Sequence, residues 1–307
     1  MEKVRFGIIG IGNIGTVHAR YLLAGTVSDA CLTAVCDNAP EKHPAIRQLV
    51  GNLPVFSDAQ EMIQSGLIDA VIVATPHYEH PRLSMLAMRN GIHTLCEKPA
   101  GVYTAQVQEM NACARECDVV FGIMYNQRPN PLYRKVKDLI DSGELGELRR
   151  SNWIITNWYR SQSYYNSGGW RATWKGEGGG VLLNQDPHQL DLWQWLVGMP
   201  VRMRAFCQFG KHRQIEVENE VTAYAEYANG ATGVFITTTA EAPGTNRLEI
   251  AGDRGKVVVE DGKLRFWRLR ESETEFNARW ENGFGEPECW EVTIPVAPEC
   301  SDHHIIT

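Results

Sequence analysis

Short apolar runs alternate with amphipathic stretches through the first part of the chain. Each run ends at glycine or at polar residues, and the stretches between runs have the spacing of helices. This alternation is typical of an α/β domain with a parallel, doubly wound sheet. We therefore predict a nucleotide-binding domain over residues 1–125, with a helix at Asn13–Leu23 and with strands at Val4–Ile9, Leu32–Asp37, Ala70–Ala74, Thr94–Cys96 and Val119–Ile123.

The pattern changes after residue 126, where long strand-like segments follow one another through turns such as Asn229-Gly230 and Asp261-Gly262. Beyond a helix that ends near Ser142, only the stretch Gln189–Leu196 is strongly helical. We predict an α+β domain over residues 126–307 with a large, mainly antiparallel sheet. Its strands are predicted at Leu148–Trp158, Val201–Phe209, Glu220–Tyr227, Thr232–Thr239, Arg247–Ala251 and Lys256–Val259.

Composition and charge indicate which class of molecule the protein binds. The 307 residues are 43% hydrophobic, which allows two domains of ordinary size, and the formal charge of -7 is modest. Lysine and arginine are scattered without a basic block, so neither nucleic acid nor an anionic membrane is indicated. The amino terminus carries charges at Glu2, Lys3 and Arg5 and enters a strand at once, unlike a signal peptide or a membrane span. A small-molecule partner is favoured.

The eight cysteines show neither a CxxC pair nor the His spacing of a zinc site, so we predict no metal and a reducing cytoplasm. Cys113 and Cys117 are four residues apart on a predicted helix. A thiol pair or half of a metal site is conceivable there, but packing on a buried helix face is the favoured interpretation.

A glycine cluster follows the first predicted strand and opens the first helix. Gly10 permits a tight turn, Gly12 lets the backbone approach a pyrophosphate, and Gly15 lets the helix pack near the sheet. Asp37, at the end of the second strand, can accept hydrogen bonds from a ribose diol. This context favours dinucleotide binding over a purely structural turn.

Asp37 also bears on the choice of cofactor. Its carboxylate would repel the 2′-phosphate of NADP, and the next residues include no arginine to receive that group. NAD is therefore favoured over NADP, although Lys42 and His43 are near enough to keep NADP open.

Two further loops should meet at the carboxyl edge of the parallel sheet, where ligands bind in such folds. The first carries Thr75, Pro76 and His80, and we expect it to line the cofactor. The second is Glu97-Lys98-Pro99, which would bring an ammonium group to the nicotinamide end of the site. An ordinary surface lysine is the alternative interpretation.

Taken together, these residues resemble the Gfo/Idh/MocA family of glucose-fructose oxidoreductases, inositol 2-dehydrogenases and rhizopine-pathway dehydrogenases, over nearly the whole chain. The resemblance implies an amino-terminal Rossmann domain, a second domain whose open sheet often forms homodimers or homotetramers, and NAD(P)-dependent oxidation or reduction of a sugar or cyclitol. It is carried by the glycine cluster, Thr75-Pro76 with His80, Glu97-Lys98-Pro99, Asn126-Gln127-Arg128, and the segment from Gly178-Gly179-Gly180 through Asn184 and His188 to Asp191.

The resemblance implies roles for particular residues. Lys98 matches the family's signature lysine, which contacts nicotinamide ribose and substrate, and His188 matches the histidine that takes the hydroxyl proton. Asn184 stands where the best-known members carry an aspartate paired with that histidine, so His188 should be a weaker base unless Asp186, Asp191 or the substrate supplies the charge. The implied cofactor contacts are Gly10, Gly12, Asn13, Ile14, Gly15, Asp37, Thr75, Pro76, His80, Glu97, Lys98 and Gln127.

Aromatic and cationic residues are mixed between Trp153 and Trp174, a composition that can stack on sugar rings and donate to hydroxyls or a carboxylate. About half of these aromatics should belong to the core. Asn246 and Arg247 are weaker candidates. We predict that the substrate contacts include Lys98, Tyr159, Arg160, Trp170, Arg171, Asn184 and His188.

Two other functions stay open. A sensor of this fold would bind nucleotide or sugar without turnover, although the presence of Lys98 and His188 disfavours it. A glycoside-cleaving enzyme would retain NAD and act through a transient 3-keto sugar. The chain ends at Asp302–Thr307, where members of the family normally continue into further helices, so we expect a truncated protein.

Overall fold

The computed structural model of the chain describes residues 2–297, and the predicted ending at residues 302–307 lies outside that range. The chain forms two compact units. The first contains the described residues up to Tyr125 together with Lys175–Gly178, and the second contains Asn126–Trp174 and residues 179–297. Within residues 2–297, no helix combines the length and the apolar character needed to cross a lipid bilayer.

The first unit is built on a six-stranded parallel sheet with the order β3-β2-β1-β4-β5-β6. This order is that of a Rossmann fold, so the predicted doubly wound sheet is confirmed. The strands are β1 Val4–Ile9, β2 Ala30–Cys36, β3 Val55–Phe56, β4 Ala70–Val73, β5 His93–Cys96 and β6 Phe121–Ile123.

Both faces of this sheet are covered by helices. Ile8 and Ile72 pack in one buried cluster, whereas Ile9, Val71 and Val73 pack in another, because alternate side chains of a strand point to opposite faces. Strands buried on both faces contain continuous apolar runs, which explains why they were readable in the sequence. The helices are α1 Asn13–Leu23, α2 His43–Val50, α3 Ala59–Ile63, α4 His80–Arg89 and α5 Thr104–Glu116, and two 3₁₀ turns lie at Pro40–Lys42 and His77–Glu79.

The pair of cysteines on α5 packs among apolar side chains. Cys113 is buried beside Met88 and Met110, and its Sγ atom lies 3.9 Å from that of Cys117. All seven cysteines within residues 2–297 are free thiols. Burial and the neighbouring Cys117 raise the pKa of Cys113, which favours the protonated thiol.

The second unit contains an eight-stranded open sheet with the order β14-β13-β12-β11-β7-β10-β9-β8. Only β7 and β10 pair in parallel, so the predicted, mainly antiparallel sheet is confirmed. Its strands are β7 Leu148–Ile155, β8 Arg202–Phe209, β9 Glu218–Glu226, β10 Thr232–Thr238, β11 Asn246–Gly252, β12 Gly255–Glu260, β13 Lys263–Leu269 and β14 Cys289–Val292.

Helices cover one face of the open sheet. Trp153, Trp193 and Phe235 are buried there, with ring centroids of Trp193 and Phe235 5.5 Å apart. Trp153 therefore belongs to the core, and its Nε1 donates to Asn246 Oδ1 at 3.0 Å. The helices of this unit are α6 Pro131–Asp141, α7 Gln162–Asn166, α8 Val181–Asn184, α9 Pro187–Val197 and α10 Glu273–Arg279.

Candidate active site

The glycine cluster forms a tight loop between β1 and α1. Gly10 has φ +93°, and a Cβ atom there would lie 2.7 Å from the carbonyl oxygen of Ala74. A Cβ on Gly15 would lie 1.9 Å from the carbonyl oxygen of Gly10. Both positions therefore require glycine, the first for its conformation and the second for the close approach of helix and loop.

Gly12 differs from its neighbours because no atom of residues 2–297 lies within 4 Å of the Cβ position it would carry. It is the residue before α1, whose first turn has neither a side-chain cap nor an acidic residue. The amide groups at this helix terminus are thus accessible to an anion, and the helix dipole favours negative charge there. The open space beside Gly12 fits the pyrophosphate of a dinucleotide.

Asp37 is buried directly after β2 and supports the glycine loop. Its Oδ2 accepts a hydrogen bond from the backbone N–H of Ile11 at 3.0 Å, and its Oδ1 accepts one from Ala39 N at 3.0 Å. Lys42 Nζ lies 3.6 Å from Oδ1. Since Lys42 faces the Asp37 carboxylate, the two opposite charges partly compensate each other within the protein.

The lysine loop after β5 is tied to helix α1. Glu97 is buried, its Oε1 lies 2.8 Å from Nε2 of His18, and its Oε2 accepts the backbone N–H of Lys98 at 3.1 Å. Burial alone would raise the pKa of Glu97, but His18 and Lys98 outweigh it and lower that pKa. A carboxylate shared by His18 and Lys98 thus connects the dinucleotide-binding helix to the candidate catalytic lysine.

His80 connects the two loops that the sequence predicted to be neighbours. Its Nε2 lies 2.8 Å from the carbonyl oxygen of Thr75, and its Nδ1 lies 2.7 Å from that of Pro99. Burial lowers the pKa of His80, and the two carbonyl oxygens oppose that shift. Thr75 Oγ1 is buried without a hydrogen-bond partner among the described residues, as expected of a hydroxyl that serves a ligand.

In the second unit, the segment that carries His188 is anchored by Glu218 on β9. This carboxylate accepts the N–H groups of Gly180 at 2.9 Å and Leu182 at 3.2 Å. A Cβ on Gly180 would lie 1.8 Å from the carbonyl oxygen of Glu218, so only glycine permits the contact. Burial raises the pKa of Glu218, and the donated N–H groups oppose that rise. Asn184 ends α8, and His188 is the second residue of α9.

The two carboxylates considered as partners of His188 differ in their surroundings. Asp191 is held by Arg128 through two hydrogen bonds of 2.7 and 2.6 Å. Asp186 immediately precedes α9 and is fully buried. The charge of Asp191 is therefore largely compensated within the protein.

Gln127 lies at the start of the second unit, where its Nε2 contacts Asn126 Oδ1 at 3.4 Å. It lines a cavity of about 540 Å³ together with Asn157 and Asn246. Arg247, the other weaker candidate, pairs with Glu260 and Glu249 at 2.6 and 3.1 Å. Asn246 and Arg247 are thus both engaged by protein groups.

Among the predicted substrate residues, Arg171 and Asn184 meet at a tyrosine hydroxyl. Tyr164 Oη receives Arg171 Nη1 at 2.9 Å, Gln185 Nε2 at 3.4 Å and Asn184 Nδ2 at 3.5 Å. The guanidinium of Arg171 also lies over the ring of Trp170, 4.8 Å from its centroid. The structure therefore brings Asn184, Trp170 and Arg171 together.

Tyr159 and Arg160 lie beside this group. Tyr159 is 49% exposed, with the guanidinium of Arg213 5.2 Å from its ring centroid. The guanidinium of Arg160 lies over two further aromatic rings, 5.1 Å from the centroid of Tyr164 and 5.5 Å from that of Trp158.

Three features of the site were not predicted from the sequence. They are His18 on α1, Glu218 on β9, and the hydroxyl of Tyr164 as the point where Arg171 and Asn184 meet. His18 does carry a signal, since it follows Gly15 by three residues on a helix that packs against the sheet. Its partner Glu97 is 79 residues away, and that pairing is not readable from one sequence.

Comparison with known proteins bears directly on this arrangement. Residues 4–125 match the family model described as "Oxidoreductase family, NAD-binding Rossmann fold", and residues 133–258 match the one described as "GFO/IDH/MocA C-terminal domain". The chain belongs to the Gfo/Idh/MocA family. It is thus an oxidoreductase with NAD as its cofactor, and the geometry of the glycine loop, Asp37 and Thr75 fits that group.

Relatives of this Gfo/Idh/MocA protein include named dehydrogenases. It is 24% identical to myo-inositol 2-dehydrogenase of Thermotoga maritima over 84% of its own length and 75% of the relative's. It is 29% identical to D-glucoside 3-dehydrogenase of Escherichia coli, over 75% and 68%. A crystal structure of the WlbA dehydrogenase of Bordetella pertussis with NADH and UDP-GlcNAcA has a TM-score of 0.81 and 30% identity, covering 88% of this chain and 84% of the other.

Proposed function

We propose that this protein transfers hydride between a secondary hydroxyl of a sugar, sugar derivative or cyclitol and NAD, with Lys98 and His188 as its catalytic residues. One observation carries the proposal. The buried Glu97 carboxylate bonds both His18 on the dinucleotide-binding helix and the backbone of Lys98, at 2.8 and 3.1 Å. Hydrogen bonds of this kind, from groups that neighbour a functional residue, hold that residue in a defined position.

The chemistry requires that a carbinol lose a proton and a hydride. Bound NAD supplies the hydride acceptor. The imidazole of His188 takes the hydroxyl proton while the carbon–hydrogen bond breaks, and a ketone is left. The ammonium group of Lys98 stabilises the negative charge that develops on the oxygen. In the reverse direction the same two residues return the proton and polarise the ketone.

Because Asn184 carries an amide in place of a carboxylate, a larger share of the proton chemistry falls to Lys98. An amide cannot stabilise an imidazolium as a carboxylate does, and Asp191 is already paired with Arg128. Asn184 Nδ2 lies 3.5 Å from Tyr164 Oη, in the group of predicted substrate residues, and we propose that its amide binds a substrate hydroxyl.

A substrate panel tests the reaction class. Monosaccharides, glycosides, uronic acids and inositols are assayed with NAD and NADP, following both NADH absorbance and the products. We expect reduced cofactor and ketone in equal amounts. Cleavage of a glycoside without net NADH would instead favour the NAD-retaining enzyme, and binding without any product would favour a sensor.

Cofactor preference should respond to Asp37. Replacing Asp37→Ser removes the charge that repels a 2′-phosphate, so we expect the ratio of kcat/KM for NADP over NAD to rise at least about tenfold. Asp37→Asn is the matched variant, because it removes the charge but keeps an oxygen that can accept the N–H of Ile11. If both variants keep the wild-type ratio, Asp37 does not select the cofactor.

The Glu97 contact should also appear in stability. Because the pKa of Glu97 is depressed below its ordinary value of 4.5, the carboxylate stabilises the fold above that pH and loses its contribution as the pH falls below it. Glu97→Gln should lower the free energy of unfolding by about 1–3 kcal/mol at pH 7. The difference should shrink at pH 4. Denaturant titrations at both pH values measure it, with the exposed Glu116→Gln as control; a pH-independent difference would contradict the assignment.

The same proposal includes self-association through the open sheet. Its edge strand β8 exposes Met203, Phe206 and Phe209, with Phe206 77% exposed, and β8 has only β9 as a neighbour. Exposed apolar strands at a sheet edge favour pairing with another chain. Light scattering of the purified protein reports whether it forms a dimer or a tetramer.

A further inference from the structure

Three arginines of the second unit, Arg160, Arg171 and Arg213, form what we call the arginine cluster. None of them has a carboxylate oxygen within 4.0 Å among residues 2–297. Arg247 in the same unit shows the usual arrangement, with Glu260 at 2.6 Å and Glu249 at 3.1 Å. Positive charges gathered without a counter-ion repel one another, and an anion bound among them would relieve that repulsion.

The three side chains converge on two tyrosine rings. The guanidinium groups of Arg160 and Arg171 lie 5.1 and 4.7 Å from the centroid of Tyr164. That of Arg213 lies 5.2 Å from the centroid of Tyr159, and its Nε donates to the backbone oxygen of Arg160 at 2.7 Å. Within residues 2–297, the hydrogen bonds of these three arginines go to neutral groups.

The backbone that carries the cluster is held in place before any ligand arrives. Gln162 and Gln214 exchange two hydrogen bonds, of 2.8 and 3.2 Å, which fasten the loop of Arg213 to α7. Arg160 N donates to Thr239 O at 2.9 Å, and Tyr165 Oη bonds the hydroxyl of the same threonine at 2.8 Å. A site preorganised in this way loses little entropy on binding.

Several donors of the cluster lack an acceptor. Nε of Arg160 and Nη2 of Arg213 are buried without a hydrogen-bond partner among the described residues. The guanidinium of Arg171 donates only to Tyr164 within that range. Buried donors that stay unpaired are costly, and guanidinium groups bind carboxylate and phosphate oxygens in a matching planar geometry.

The cluster adjoins the segment that leads to His188. Tyr164 Oη, which accepts from Arg171, also lies 3.5 Å from Asn184 Nδ2 and 3.4 Å from Gln185 Nε2. An anion held by Arg171 would therefore lie next to the candidate catalytic segment.

We infer that the arginine cluster binds an anionic group of the sugar substrate, a carboxylate or a phosphate, so that the preferred substrates are acidic sugars. The inference rests on the proposed function, because it assigns the substrate class of the same site. Aromatic rings beside the cations, including Trp170, provide an apolar surface for the sugar ring.

The test compares matched sugars. Initial rates are measured with NAD for glucuronate against glucose, galacturonate against galactose, and glucose 6-phosphate as the phosphate arm. We expect at least one anionic sugar to exceed its neutral partner about tenfold or more in kcat/KM. Arg171→Gln should lower kcat/KM for that anionic sugar about 10- to 100-fold more than for its neutral partner.

Control variants separate charge from folding. Arg171→Lys keeps the charge and should retain part of the preference, whereas the exposed Arg270→Gln, whose partner is Glu288, should leave it unchanged. Thermal melts verify that each variant folds. If Arg171→Gln does not fold, Arg213→Gln provides the same comparison.

Calorimetric titration of the same sugars into protein saturated with NADH separates the two proposals. One outcome is that the anionic sugar binds in a way that depends on the arginines but gives no hydride transfer to NAD in the rate assays. This outcome would support the anion site and contradict the dehydrogenase assignment. Turnover of neutral sugars without an anionic preference would support the dehydrogenase and overturn the inference. Absence of any anionic preference in both rates and binding also overturns it.

Discussion

Lys98→Ala should reduce hydride transfer by about 10³-fold or more, because it removes the cation that stabilises the developing oxyanion. The dissociation constant for NADH should stay within about threefold of wild type, since we expect the glycine loop and Asp37 to provide most of the contacts to the cofactor. Stopped-flow absorbance measures the first quantity, and fluorescence titration of NADH measures the second.

The matched control is Lys135→Ala, which removes a lysine of the same length that pairs with Asp138 on helix α6. It should change neither quantity. Full turnover by Lys98→Ala would refute the catalytic assignment. Loss of NADH binding together with turnover would show that the lysine serves the cofactor and not the reaction.

The second large effect concerns two glycines that the sequence motif treats alike. Gly15→Ala forces a Cβ to within 1.9 Å of the Gly10 carbonyl oxygen, so α1 or the loop must move. We expect a loss of about 1–3 kcal/mol in unfolding free energy and at least about 100-fold weaker NADH binding. The Cβ of Gly12→Ala meets no atom of the described residues within 4 Å, so stability should be unchanged or slightly higher while NADH binds more weakly.

Melting temperature and NADH titration, measured together, separate the two roles. Gly283→Ala is the control, because nothing lies within 4 Å of its Cβ position and it lies outside the cofactor loop. If Gly12→Ala binds NADH normally, the open space beside this residue is not the phosphate site. If Gly15→Ala keeps both properties, helix and loop are less tightly packed than the contact distance implies.

Local signals explain which elements could be predicted. The helix Asn13–Leu23 was predicted with its observed bounds, because a glycine loop fixes its start. The turn Asp261-Gly262 has two positive φ values and closes the hairpin between β12 and β13 with the expected geometry. The strand predicted to run to Trp158 ends at Ile155 instead, since the following residues leave the ladder.

Other elements were missed although one of them has a clear signal. Ser272 and Glu275 form a capping box at the start of α10, a pattern that can be read from sequence. The strand β14, by contrast, is short and exposed, so burial imposed no alternation on it.

The candidate site was predictable only in part for a similar reason. Motifs identified Lys98 and His188 as candidates, but contacts between distant residues decide how each is held. Glu97 meets His18 across 79 residues, and Gly180 meets Glu218 across 38. Such pairings depend on the tertiary fold, and a single sequence carries no record of them.

Asp37 has one more consequence, which concerns how cofactor use could change over evolution. Its two carboxylate oxygens already accept the N–H groups of Ile11 and Ala39. A substitution that admits a 2′-phosphate but carries no oxygen in reach of Ile11 therefore also withdraws support from the loop that must hold the pyrophosphate. A lineage moving toward NADP would keep an acceptor for Ile11 in the new residue or gain one by a second change, so a single mutation that loses the acceptor should weaken the binding of both cofactors while it shifts their ratio.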